Sequence, residues 1–342
     1  AGDVRASSAR DSGASSSGSR RRSEKKESMR TVTAVFLGLG ILALAAAVSV
    51  EVQSHSWMVD IFGKQNPYRA LNDLINGIFF SEATRRGFEE RFGEELGYYM
   101  VTYLRDLIAG ILVYYIAAGV WHIMIYHVLR ERIFKGQEDQ IPTAATIWDQ
   151  ICLAQASVFC YAALPVFSSW LVENGYTRAY FYVDEIGGWS NYLAWTVAYF
   201  VLVEIGIYWV HRTLHTNKFL YKYVHALHHK YNSAATLSPW ASIAFNPLDG
   251  IAQASPYVVA MFLVPCHYIT HLLMLFFTGI WSTNIHDAVP GNIEPIMGAK
   301  YHTVHHTHYH YNFGQIFIYC DKFWGTLKTP EEIRQLRMAK KK

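Results

Sequence analysis

This chain predicts an all-α, polytopic membrane protein, and three observations predict it. Charged residues make up 17% of the sequence against 51% hydrophobic, where soluble domains carry roughly 25% charged. Uncharged apolar stretches long enough to cross a bilayer as a helix recur along the chain. Of 16 histidines, thirteen lie at or after His211, many spaced three and four apart as on one face of a helix. The expected architecture is about four transmembrane helices, a helical hairpin and a cytosolic, His-rich helical cap.

Residues 1–30 are rich in Ser, Arg, Lys and Gly with almost nothing apolar to bury, so a disordered basic arm is expected. Thr31 to Val50 runs twenty residues without a charge, about the length of one helical crossing. It exceeds the roughly 7–15 residues of a cleavable signal's apolar core and reads as a first transmembrane helix, with the basic arm in the cytosol. Residues 51–106 are mixed, with acidic pairs at Glu89-Glu90 and Glu94-Glu95, and read as a luminal segment of short amphipathic helices. A membrane-embedded domain over 107–330 follows, with apolar spans from Leu107 to Tyr126, Ile151 to Val172 and Tyr192 to Val210. Ile251 to Ile285 carries no Lys, Arg, Asp or Glu over thirty-five residues but contains Pro256 and Pro265, which suits a tight hairpin or a broken re-entrant pair. Residues 331–342 form a basic tail.

Counting crossings tests this order. Starting in the cytosol, the chain returns there near Arg130 and again at His211, and the hairpin restores it to the same side before His286 and His302. The loop from His127 to Gln150 carries Arg130, Arg132 and Lys135, whereas that from Glu173 to Asn191 carries only Arg178, as the positive-inside rule requires. Cys152, Cys160, Cys266 and Cys320 make no C-x-x-C pair, so neither a disulfide framework nor a thiolate metal site is expected. A net charge of +3 is too small to argue for nucleic acid.

Three histidine groups carry the chemistry: His211 with His215, His225 with His228 and His229, and His302 with His305 and His306. If helical, each group turns its imidazoles one way. Imidazole is the commonest side-chain metal ligand, and eight are too many for one mononuclear site. Two metals sharing the set is the simpler reading, with iron, copper, zinc or nickel all suited to imidazole. Surface histidines or a low-complexity tract are the bland alternative. A redox metal pair beside a bilayer suits oxidation of a lipid substrate at an unactivated C–H bond.

The segments H-R-T-L-H-T-N-K-F-L-Y-K-Y-V-H-A-L-H-H-K-Y-N, T-L-S-P-W-A-S-I-A-F-N-P-L-D-G, Ile285-His286-Asp287 and Y-H-T-V-H-H-T-H-Y-H-Y-N-F-G-Q resemble the fatty acid hydroxylase and sterol desaturase superfamily. More narrowly, they resemble the plant-type Δ7-sterol C5(6)-desaturases, over about residues 190–330. The resemblance implies a non-haem di-iron enzyme of the endoplasmic reticulum membrane, its site facing the cytosol. It implies oxidation of a Δ7-sterol to the 5,7-diene with O2, electrons arriving from NAD(P)H through cytochrome b5 and its reductase. Carried over by motif, the metal ligands are His211, His215, His225, His228, His229, His302, His305 and His306, with His286 from the I-H-D motif. Family members show A-F-H-P where this chain reads Ala244-Phe245-Asn246-Pro247, so Asn246 offers a weaker amide in place of an imidazole. Alternatives are a sterol C4-methyl oxidase or a sphingolipid or fatty acid hydroxylase of the same superfamily, and, from Asn246, a silent sterol-binding homologue.

Four residues are candidates for supporting the ligands from behind. These are Asn246, Asp249, Asp287 and Glu204, the last two helical turns before His211. Each also has a structural reading, as a cap or a buried hydrogen-bonded carboxyl. His267 and His271 inside the hairpin read as interhelical hydrogen-bonding groups, and His308 and His310 as interfacial or supporting. Lys218, Lys222 and Lys230 offer a basic rim for cytochrome b5 or lipid headgroups.

Overall fold

The computed structural model describes residues 66–287 and 293–339. The expected N-terminal arm, the first transmembrane helix at 31–50, residues 51–65 and residues 340–342 lie outside them.

Among the described residues the chain is helical almost throughout, as its composition predicts. Two short helices, α1 (Pro67–Phe79) and α2 (Glu82–Phe92), lead into α3 (Glu94–Ile123). Asn66 caps α1, its side chain accepting from the amides of Tyr68 and Arg69, with Pro67 at the first position, where its missing N–H costs nothing. Helix α3 starts thirteen residues before Leu107, so the boundary expected at 106 falls inside it. The helix is broken from α2 only at Gly93, whose φ of 86° favours glycine. The charged opening turns reach past the apolar run because backbone hydrogen bonding, not side-chain polarity, sets where the helix stops.

Helices α4 (Ala144–Tyr161) and α5 (Ala163–Glu173) run on from one another, and α6 spans Trp189–Thr216. Three stretches, Glu94–Val128, Glu138–Glu173 and Trp189–Thr216, are long and apolar enough to cross a membrane. Their outward faces are apolar and exposed, as at Leu112, Ile116 and Val120 on α3 and Leu193 and Val197 on α6, the arrangement that suits lipid. Between Ile251 and Ile285 the chain forms the expected hairpin. Its arms are α7 (Pro247–Leu263) and α8 (Tyr268–Ile285), whose turn residues Cys266 and His267 pair in parallel with Ala179 and Tyr180. This small tie joins the hairpin to the loop before α6, at the end of α6 remote from its histidines.

The main core lies where α5, α6, α7 and α8 meet, around Leu171, Tyr199, Val203, Tyr257, Met261 and Tyr268. His271 binds Ser168 at 2.6 Å and Tyr199 at 2.8 Å within it, and His267 binds the Phe181 carbonyl at 2.7 Å. His271 is thus the expected interhelical hydrogen-bonding group, whereas His267 sits in the hairpin turn and bonds the loop before α6. Helix α9 (Ala299–His308) closes the histidine-bearing end, stopped by Tyr309 at a φ of 58°.

Candidate metal centre

All nine histidines carried over by motif converge at one end of the helices, in two groups. His211, His215, His225, His229 and His305 form one; His228, His286, His302 and His306 form the other. Within each group one ring nitrogen per residue lies within 4.8 Å of all the others. Eight of the nine are buried and His215 is half-buried.

The sequence groups are not the spatial groups, which corrects the expectation that each motif turns its rings one way. His228 and His229 part company, as do His305 and His306. Neighbours on a helix point about 100° apart, so an adjacent pair serves two centres, while His302 and His306, four apart, serve one. The second motif is not a regular α-helix either. It is a π turn at Tyr221–His225 followed by a 3-10 turn at His228–Lys230, an irregularity common at functional sites.

The donor set can be tested for metal. Nδ1 of His211 faces the Phe313 carbonyl at 3.0 Å, that of His305 the Tyr311 carbonyl at 2.9 Å and that of His286 the Ser282 carbonyl at 2.7 Å. Nδ1 of His225 faces Asp249 Oδ2 at 2.7 Å. A neutral ring that donates through Nδ1 carries a bare lone pair at Nε2. Yet His225 Nε2 lies 2.8 Å from His215 Nε2 and 3.1 Å from His229 Nε2. In the second group His302 Nε2 lies 3.1 Å from both His286 Nε2 and His306 Nε2. Where both nitrogens of such a pair are unprotonated their lone pairs repel, and a cation among them would turn the repulsion into binding. Nε2 of His211 and His305 point inward with no partner at all. Burial first, then the charge each would impose on the others, holds His228, His229, His302, His305 and His306 well below the ordinary imidazole value. The lone pairs are therefore free for metal at neutral pH. The residues fit a pair of metal sites.

The supporting candidates divide. Asp249 holds His225 and is itself held by Gln253 Nε2 at 2.7 Å. Asp287 accepts from Trp121 Nε1 at 2.6 Å, tying α3 to the end of α8. Glu204 accepts from the amides of Ile316 and Phe317, two turns or about 10 Å along α6 from His211; its bonds are to that backbone. Asn246 belongs to neither group of histidines. It caps α7, accepting from Leu248 N at 2.9 Å, and donates to the Tyr223 carbonyl at 3.3 Å. The carbonyls of Phe313, Tyr311 and Ser282 escape sequence reasoning, because a main-chain acceptor has no residue signature. Lys230 pairs with Asp149 at 2.6 Å, leaving Lys218 and Lys222 exposed beside the site.

A cavity of about 240 Å³ among the helices borders both groups. His228, His286 and His302 line it together with His211 of the first group, as do Val113, Val158, Leu164, Ile207 and Leu275, and Asp106 also borders it. Asp106 is buried and bound to Arg105 at 2.8 Å.

Comparison with known proteins agrees with this geometry. The fatty acid hydroxylase family matches residues 196–326, the stretch that carries all nine histidines. The chain is 41% identical to a Δ7-sterol-C5(6)-desaturase of Nicotiana tabacum, over 76% of this chain and 92% of that protein. It is 46% identical to a putative Δ7-sterol-C5(6)-desaturase 2 of Arabidopsis thaliana, over 69% and 84%. A lathosterol oxidase of Rattus norvegicus is 35% identical over 50% and 58%. No solved structure matches.

Proposed function

The chain belongs to the Δ7-sterol C5(6)-desaturase family, and from that membership we propose that it removes two hydrogens from C5 and C6 of a Δ7-sterol to leave a 5,7-diene. It is an oxidoreductase. The balance is Δ7-sterol, O2, two electrons and two protons to diene and two waters. Two of the four electrons that reduce O2 leave the substrate's C–H bonds, and two come from NAD(P)H by way of a reductase and cytochrome b5.

One observation carries the reading: two groups of converging imidazoles border, through His211 of one and His228, His286 and His302 of the other, an apolar cavity set among membrane-length helices. These nine histidines would hold a pair of irons, the group of five and the group of four each taking one, and the irons would supply dioxygen-dependent oxidation of an unactivated C–H bond. The protein's own contribution is positional. Asp249 and three carbonyls lock ring orientation, and Phe245, its ring 5.0 Å from His228, helps wall the pocket from water. Both ends of the Asn246 amide are engaged by backbone, as cap of α7 and donor to Tyr223, which supports the active reading over a silent homologue. An endoplasmic reticulum location with the site toward the cytosol is part of the same proposal, supported by Arg130, Arg132 and Lys135 on the adjoining loop. Exposed Lys218 and Lys222 suit an acidic electron donor.

The test is the sterol profile, by gas chromatography with mass spectrometry, of yeast lacking sterol C5-desaturase and expressing this chain or its His228→Ala variant. Return of 5,7-dienes with the intact chain alone is expected. Hydroxylated sterols would indicate a hydroxylase, and untouched Δ7-sterols with well-expressed protein a silent homologue.

A further inference from the structure

A sterol offers one strongly polar atom, its 3β-hydroxyl oxygen. Four bonds separate that oxygen from C6, so it lies within about 5 Å of the reacting carbons, which must themselves approach the attacking group to about 3–3.5 Å. The hydroxyl's partner therefore sits near the histidines. Besides the histidines His211, His228 and His302, two groups bordering the cavity are buried with an unused polar atom, Asp106 Oδ2 and Ser242 Oγ. Asp106 precedes Trp121 by fifteen residues on α3, about 22 Å along the axis, and Trp121 is the residue that reaches Asp287 beside His286. That places Asp106 too far from the chemistry.

Ser242 is close. Its carbonyl accepts from Ser282 Oγ at 2.7 Å, and the Ser282 carbonyl in turn accepts from His286 Nδ1 at 2.7 Å. Ser242 is wholly buried, yet it borders the cavity together with His228, His286 and His302, and its hydroxyl finds no partner. The segment that carries it is clamped on both sides: Tyr114 Oη donates to the Trp240 carbonyl at 2.9 Å and Ser157 Oγ to the Phe245 carbonyl at 2.6 Å. Burying an unpaired hydroxyl is costly, and a ligand that completes the bond recovers that cost in a preorganised place.

Resting on the desaturase reading, we infer that Ser242 Oγ is the partner of the sterol's 3β-hydroxyl. The ring system then enters nucleus-first toward the histidines, and the alkyl tail trails along the apolar wall toward Asp106.

The test uses the full chain in lipid nanodiscs, metal-loaded and supplied with cytochrome b5 and its reductase, with cholest-7-en-3β-ol and its 3-deoxy analogue as paired substrates. Wild type should prefer the hydroxylated substrate in kcat/KM. Ser242→Ala should lose roughly 3- to 10-fold of that preference, mainly in KM, while turnover of the 3-deoxy analogue stays unchanged and so reports an intact fold. Equilibrium binding of the two labelled sterols to metal-free protein should show the same loss. An unchanged preference in Ser242→Ala overturns the inference, as does a preference lost in Asp106→Asn instead. Wild type that desaturates neither sterol sinks the desaturase reading, and the binding ratio still decides the role of Ser242.

Discussion

Asp249 Oδ2 lies 2.7 Å from Nδ1 of His225, and neither side chain has any exposure to solvent. The pair spans 24 residues of sequence and joins the π turn at Tyr221–His225 to the first turn of α7. A carboxylate there is doubly placed, orienting an imidazole and complementing the helix N-terminus.

Asp249→Ala should weaken metal binding in the five-histidine group by about 10- to 100-fold. Under graded chelation, metal content by inductively coupled plasma mass spectrometry should fall by one equivalent well before the other. Asp249→Asn, which keeps an acceptor, should fall between variant and wild type. Loss of both equivalents together would refute two separate centres.

His215→Ala and His228→Ala strike different groups. Each should reduce bound metal toward one equivalent, the double variant should reduce it toward none, and each alone should abolish turnover. Metal stoichiometry beside product yield checks this; a single variant that keeps both metals and full turnover would remove that histidine from the ligand set.

Asn246→Ala removes a cap and not a ligand. The expected cost is about 1 kcal/mol of stability, read as a lower Tm, with metal content unchanged. A metal content that drops with this substitution would make Asn246 a ligand after all.

Gly206→Ala tests how α6 is held. A Cβ at this position would lie 2.7 Å from Pro256 Cβ on α7, so the two helices must part, at a cost of about 1–3 kcal/mol for overpacking. Because His211 follows on α6 and Asp249 begins α7, metal retention should fall with Tm. Gly87→Ala, where a Cβ meets nothing within 4 Å, should be neutral or slightly stabilising.

The described spans were legible from uncharged runs, because lipid contact demands apolar faces whatever the tertiary packing. Their starts were not: Glu94 to Asp106 is helical although charged, and His211 and His215 ride the last turns of α6 beyond Val210, where the apolar run ends. The nine histidines were legible from spacing and motif, but not their division, since a motif fixes relative direction and not which neighbour lies across the gap. Asp249 was readable only as one acidic candidate among several, its partner being set by a turn that periodicity does not reveal. Glu204 shared a face with His211, yet the loop at 316–317 packs against it first.

Helix α9 gives His305 to one group and His306 to the other, and the turn at 228–229 divides its histidines likewise. The gap between two ions held there would be gauged by the pitch of the backbone and not by side-chain choice. Exchanging one ion for another would leave that ruler untouched, whereas inserting a single residue between His302 and His305 would turn His305 into the place of His306 and His306 out of both groups.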